Sequence, residues 1–237
     1  MTRSPASTGS TPGDPTPAGS LSTGPAPAGS ASAIPGHAGS RTGTPARSAR
    51  TRDAAHFARL YAASSDPWGF RTSGYERDKY AETLAALPAH RFRSALEVGC
   101  SIGELTRRLA PRCDRLLGLD LSDAALREAA AACAGLAGVA FRQATVPADW
   151  PDGPFDLVVL SEVLYFLVPD DLAVLARRCL DSLDPGGIVL LVNWTGPTDD
   201  PLSGDDAADL FIAHAAPSLR PVRQDRRPGY RLDLLGG

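Results

Sequence analysis

From residue 53 onward the apolar positions change period several times. Residues 53–62 and 75–87 space apolar side chains among charged ones, the helical pattern, and Pro67 and Gly69 between them predict a loop. The second helix ends at Pro88. Short apolar runs then alternate with helical stretches. A strand is predicted at 95–98, a helix at 104–109 stopped before Pro111, a strand at 115–119 and an alanine-rich helix from Asp123 to about Ala134. Ser122 precedes that helix, and its hydroxyl can accept from the unpaired amides of the first turn, so it is the expected N-cap. A third strand follows at 139–142. The fourth, Phe155-Asp-Leu-Val-Val-Leu160, reads as buried on both faces. A helix over about 170–183 and a turn at Pro185-Gly186-Gly187 lead into a fifth strand at 188–192. Residues 219–224 and 230–235 flank Arg226-Arg-Pro-Gly229, the pattern of an antiparallel hairpin. Strands joined through helices predict an α/β protein with a parallel sheet, closed here by that hairpin.

Residues 1–50 have no such pattern. They repeat Pro-Ala-Gly-Ser at 17–20 and 27–30, and their large apolar residues are Met1, Leu21 and Ile34. A segment so poor in apolar surface cannot offset the entropy of ordering, so residues 1–50 are predicted to be a disordered tail and residues 51–237 the folded domain. Arg3, Arg41, Arg47 and Arg50 against Asp14 give the tail a net +3, which leaves −6 on the rest of a chain whose total is −3. A mildly acidic domain argues against a nucleic-acid partner. Prolines and glycines in the tail prevent the amphipathic helix of a transit peptide, and no apolar run is long enough for a signal peptide or membrane span. Cys100, Cys113, Cys133 and Cys179 are too widely spaced for a metal motif and too sparse for a disulfide framework, so reduced thiols in the cytoplasm, and no metal, are expected.

The candidate chemistry centres on Ser94-Ala-Leu-Glu-Val-Gly-Cys-Ser-Ile-Gly-Glu104, which has two readings. Gly99-Cys-Ser-Ile-Gly103 is a literal G-x-S-x-G, the elbow that carries a nucleophilic serine in α/β-hydrolases, and Ser101 is followed by Asp184, Asp199, Asp200 and then His214 in the triad order of that fold. Against it, a single strand precedes Gly99, no HGGG-like oxyanion segment lies upstream, and Glu97 and Asp120 have no hydrolytic role. The other reading is a cofactor-binding turn at the carboxyl end of the first strand, where glycines permit close backbone approach. Asp120 ends the second strand 17 residues after Gly103, where a carboxylate can accept from both hydroxyls of a ribose. The G-x-G-x-x-G of dinucleotide sites is absent, and Glu97 and Glu104 flank the turn where a pyrophosphate favours positive charge.

Leu96-Glu-Val-Gly-Cys-Ser-Ile-Gly103, Gly118-Leu-Asp120, Phe155-Asp-Leu-Val158 and Leu183-Asp-Pro-Gly-Gly187 together resemble the class I S-adenosylmethionine-dependent methyltransferases. The resemblance implies a three-layer, Rossmann-like α/β fold around a seven-stranded, mostly parallel sheet with a C-terminal antiparallel hairpin. It also implies S-adenosylmethionine as cofactor, held by Glu97, Gly99, Cys100, Ser101 and Gly103 at the methionine end, by Asp120 with Leu121 at the ribose, and by Ser161 and Lys79. At Gln143-Ala-Thr-Val-Pro147 the family commonly has an acid for the adenine amino group; here Thr145 would offer its hydroxyl oxygen.

Asp66-Pro-Trp-Gly-Phe70, Tyr75-Glu-Arg-Asp-Lys-Tyr80 and Ser161-Glu-Val-Leu-Tyr-Phe-Leu167 are similar to the nodulation N-methyltransferase (NodS-like) branch, whose activity is N-methylation of a deacetylated chitin-type oligosaccharide. That similarity implies a helical lid over 51–90 and a small-molecule acceptor contacted by Trp68, Tyr75, Asn193 and Trp194. Glu162 and Tyr165 become the candidate catalytic residues, Glu162 taking the proton of an amine acceptor or holding it by a hydrogen bond and Tyr165 orienting it. Transfer to a hydroxyl and non-catalytic cofactor binding are the alternatives. Lys79 is the one lysine in the chain; with Glu76 and Asp78 on the same helix, it can also be read as a solvated charge.

Overall fold

Seven strands form one sheet in the order β3-β2-β1-β4-β5-β7-β6 in the computed structural model, which describes residues 46–237. The strands are β1 (Ala95–Val98), β2 (Leu116–Asp120), β3 (Val139–Gln143), β4 (Phe155–Ser161), β5 (Leu183–Trp194), β6 (Arg220–Arg227) and β7 (Tyr230–Gly236). The first five are parallel, and β7 inserts antiparallel between β5 and β6. The expected fold class is therefore the observed one. The tail assigned to residues 1–50 lies outside the described residues up to 45. Residues 46–50 already join the domain, with the Ser48 amide donating to the Asp199 carbonyl at 2.8 Å.

The helices are α1 (Ala54–Ala63), α2 (Gly74–Ala86), α3 (Glu104–Leu109), α4 (Asp123–Ala132), α5 (Pro169–Asp181) and α6 (Gly204–Ala215). Side-chain caps set several of their starts. Asp53 accepts from the His56 amide, Ser73 from Glu76, Ser203 from Asp206, and Ser122, as expected, from Ala125. Alternation along the strands divides the core between two faces. Val98, Val158, Leu160, Val189 and Leu191 pack against α5 and α6, while Leu157, Val159, Leu190, Val192 and Leu232 pack against α2 and α3. Helices on both faces make the three layers. Phe57 and Tyr61 of α1 instead pack on Ile102 and Ala125, over the glycine turn.

Two stretches differ from the sequence pattern. Pro185-Gly-Gly187 is a bulge inside β5 rather than a turn before it: Leu183 pairs with Phe155, and the ladder resumes at Ile188 opposite Leu157. Residues 204–215 form a full helix whose apolar positions are largely alanines, too small to mark a periodic stripe.

Candidate active site

The carboxyl ends of β1, β2 and β4 meet beneath α1 and the 64–73 loop around a cavity of about 950 Å³, open mouth included. Gly99 (φ +76°) and Ser101 (φ +49°) turn the chain sharply after β1. A Cβ on Gly99 would lie 2.3 Å from Val163 Cγ2, so no other residue fits this approach of backbone to the start of the β4 exit loop. Gly103 has a different use. Its missing side chain leaves room for Ala129 of α4, 2.9 Å from where a Cβ would be, so helix packing rather than a ligand requires it.

Asp120 locks this turn to the next helix. One carboxylate oxygen accepts from the Ser101 amide at 3.0 Å and the other from the Ser122 amide at 2.8 Å. The Leu121 amide is a third backbone donor to this carboxylate, which leaves it part of its acceptor capacity, and Asp120, Leu121 and Thr145 all contribute to the cavity wall. Burial pushes the Asp120 carboxyl up to about 6, and the backbone donors offset part of that rise.

The Thr145 amide is held by Asp149, an acid just beyond the 143–147 segment. Behind the turn, a smaller cavity of about 330 Å³ is lined by Glu97, Cys100, Ser161 and Glu162 among others. Glu97 is buried there with Oε2 unpartnered, and burial raises its carboxyl to about 8 with the Thr106 hydroxyl offsetting only part.

The opposite wall is assembled from distant parts of the chain. Glu162, at the exit of β4, has φ +58°, although its amide still donates to the Val192 carbonyl at 2.8 Å. A left-handed glutamate is costly by about 1–3 kcal/mol and persists where surrounding contacts fix it. Those contacts are identifiable. Lys79 Nζ donates to Oε1 at 2.7 Å, while the Tyr165 hydroxyl (3.0 Å) and the Trp194 amide (2.8 Å) donate to Oε2.

Lys79 is not solvated. It is 2% exposed and lies across both oxygens of Glu76, at 3.0 and 2.9 Å, as well as on Glu162. Burial alone would favour the neutral amine, but the two carboxylates outweigh it and hold the ammonium well above its usual range. Burial likewise raises Glu76 despite the neighbouring lysine.

The structure thus brings Gly99, Ser101, Asp120, Leu121, Thr145, Lys79, Glu162, Tyr165 and Trp68 to one cavity, with Glu97, Cys100 and Ser161 on the smaller one behind it. Tyr75, Asn193 and Trp194 line neither. Tyr75 packs edge-on against Trp194, while Asn193, on the opposite face of β5, is fully buried beneath Gly204. Sequence reading did not anticipate Phe57, Tyr61, Glu76 or Phe166 in the wall, nor Arg52, which is tied to Asp199 and Asp200. Tyr61 and Ser101 share a hydrogen bond of 2.5 Å, so the serine hydroxyl faces a phenol and not a histidine. His214 is exposed on α6, and the hydrolytic triad does not form.

This combination of a parallel sheet with an antiparallel last hairpin, a glycine turn after β1 and an acid ending β2 defines the S-adenosylmethionine-dependent methyltransferase fold. The methyltransferase domain family model matches residues 95–187. A Pseudomonas syringae protein assigned as a methyltransferase, whose crystal structure is known, is 35% identical, with coverage of 70% of this chain and 100% of that one and a TM-score of 0.62. Nodulation protein S of Rhizobium tropici is 31% identical over 140 residues, 58% of this chain and 59% of the relative. N-methyltransferase NodS from Bradyrhizobium japonicum, crystallised with S-adenosyl-L-homocysteine, shares the fold at 21% identity, covering 78% of this chain and 99% of that one with a TM-score of 0.67. The chain belongs to the class I S-adenosylmethionine-dependent methyltransferase family. Within it, the similarity runs to the nodulation protein S branch, and the chain spans 51–62% of the length of those curated relatives.

Proposed function

We propose that the protein methylates an amine of a small polar acceptor, with an amino sugar or glycoconjugate as the favoured class. The observation that carries this reading is Glu162. Its carboxylate is fixed at the cavity wall by three donors, and an ionised carboxylate has about four acceptor sites, so one remains for an N–H of the acceptor.

The cavity residues also fit the family's cofactor. The unpartnered, buried Glu97 Oε2 suits its ammonium group, the side-chain-free approach at Gly99 with Cys100 and Ser101 suits the methionine backbone, and Ser161 lies beside them. The acceptor capacity that Asp120 keeps, beside Leu121, suits a ribose hydroxyl, and Thr145 with its neighbours suits the base. Bound S-adenosylmethionine supplies an electrophilic methyl carbon on a positively charged sulfur.

The chain's residues do the rest. Phe57, Tyr61, Trp68, Phe70 and Phe166 enclose the cavity in aromatic surface that excludes water and favours a cation at ring faces. Trp68 offers a flat face to a pyranose ring. Glu76 and Glu162 against the single Lys79 leave this wall net negative, which draws in an amine arriving as an ammonium ion. Glu162 takes one proton from that ammonium ion at its remaining acceptor site, which leaves a neutral amine whose lone pair can point along the transfer axis, with positioning supplying much of the rate. Tyr165, and Trp194 through its amide, keep Glu162 in place, with Tyr75 packed on the Trp194 ring. Four unpaired buried thiols support a reducing, cytoplasmic setting.

A methyl-transfer screen over amino sugars, aminoglycosides and phenols, read by mass, tests the reading. Transfer to amines is expected; transfer to phenols alone would overturn the choice of acceptor.

A further inference from the structure

We propose that Lys79 is a positioning residue, which acts by clamping Glu162 in the orientation that receives the acceptor. This rests on the amine-methyltransferase reading above. The lysine sits mid-way along α2, and the glutamate is 83 residues away at the exit of β4, yet Nζ and Oε1 are 2.7 Å apart in a buried environment. Glu76, one helical turn earlier, holds the ammonium from behind at 2.9–3.0 Å, so the lysine cannot retreat without leaving a buried carboxylate unpaired. A third fixed element is the Tyr75 ring, whose centroid is 5.5 Å from Nζ.

The geometry assigns a division of labour on Glu162. Its Oε2 is saturated by the Tyr165 hydroxyl and the Trp194 amide, both from the β4–β5 side of the site. Oε1 is anchored by Lys79 alone, from the α2 side, and keeps the remaining acceptor site. Without Lys79 the carboxylate would be held on one oxygen only and could rotate away from the acceptor. A lysine serving merely to neutralise Glu76 would need no contact with Glu162. This one has the shorter contact there.

Because Lys79 is the chain's one lysine, labelling with lysine ¹⁵N at the ε position gives a single side-chain ammonium signal. In the full-length protein that signal is expected to exchange slowly and to shift on Glu162→Gln as well as on Glu76→Gln. A signal insensitive to Glu162→Gln overturns the proposal.

Kinetics add a second criterion, with the amine acceptor drawn from the screen and folding checked by thermal unfolding. Lys79→Met is expected to lower kcat about 100-fold, the scale of a small misplacement of reacting groups, with S-adenosylhomocysteine affinity unchanged. Lys79→Arg is expected to recover part of the loss. The Glu76→Gln/Lys79→Met pair removes the unpaired carboxylate; it stays slow if Lys79 positions Glu162, and full recovery of kcat would reduce Lys79 to a structural counter-charge. Failure of the wild type to bind S-adenosylhomocysteine sinks the methyltransferase reading instead, and leaves the ammonium signal to decide the clamp by itself.

Discussion

The two walls of the cavity are built in opposite ways. The wall proposed for the cofactor is local: the turn at 99–103 and the end of β2 supply it, and its chief contacts are backbone amides on Asp120 from Ser101 and Ser122, at most 19 residues away. The wall proposed for the acceptor is assembled at long range, with Glu162 held by Lys79 across 83 residues of chain and by Trp194 across 32. A backbone cradle presents the same donors whatever side chains surround it, which suits a ligand common to a family. A wall of converging side chains can be rebuilt one residue at a time, which suits a variable acceptor.

That contrast can be broken in several ways. The largest effect is expected from Glu162→Gln, which should lower kcat on the order of 100-fold or more while calorimetry with S-adenosylhomocysteine gives an unchanged affinity. Parallel losses of both would mean that the walls are not separable. Asp120→Ala should do the converse, weakening S-adenosylhomocysteine about tenfold to 100-fold through the loss of hydrogen bonds to a charged acceptor. An unaltered isotherm would remove Asp120 from the site.

Glycine substitutions sharpen the comparison at the level of stability. Gly99→Ala combines a positive φ with a collision against Val163 and should cost about 2–4 kcal/mol in denaturant unfolding. Gly135 has a similar φ of +82° but open space around it, so Gly135→Ala should cost only about 1 kcal/mol. Equal costs would show that close approach at Gly99 contributes nothing.

The acids of the cofactor wall predict a pH dependence. Glu97 and Asp120 are raised by burial, from 4.5 to about 8 and from 3.8 to about 6, so between those limits the folded ligand-free protein binds more protons than the unfolded chain. The stability they contribute is full below pH ~4 and is lost as pH rises through ~6 and then ~8. Urea titrations from pH 5 to 8.5 should show the decline, and Glu97→Gln should flatten its upper part. Binding runs the other way, because Glu97 must ionise to hold an ammonium group. S-adenosylhomocysteine affinity should rise toward pH 8, with proton release visible as buffer-dependent heat.

The smallest effect is expected on the 64–73 loop, where Arg71→Met removes a solvent-exposed pair with Glu128. A loss under about 1 kcal/mol, shrinking in high salt, is the expected thermal-unfolding result.

Much of the cofactor wall was legible in the chain because it depends on short-range rules. A glycine where φ is positive, an acid ending a strand and a serine capping a helix all leave their mark within a few residues of where they act. Gly103 shows the limit of that legibility: it reads as a ligand-approach glycine, yet its space is taken by Ala129, a contact that exists only once α3 and α4 pack. Likewise Ser101 and His214 spell a hydrolase order that the fold separates.

Local sequence was enough for the order of elements apart from α6, for the parallel sheet with its closing hairpin, and for the glycine turn after β1. Each follows from periodicity and from backbone conformations that particular residues favour. Tertiary packing alone buries Lys79 against Glu162, lays Tyr61 over Ser101, and keeps Asn193 and Trp194 out of the cavity wall. Those outcomes depend on the placement of α1 and α2 over the ends of β1 and β4. Packing of whole faces sets that placement, and no stretch of neighbouring residues encodes it.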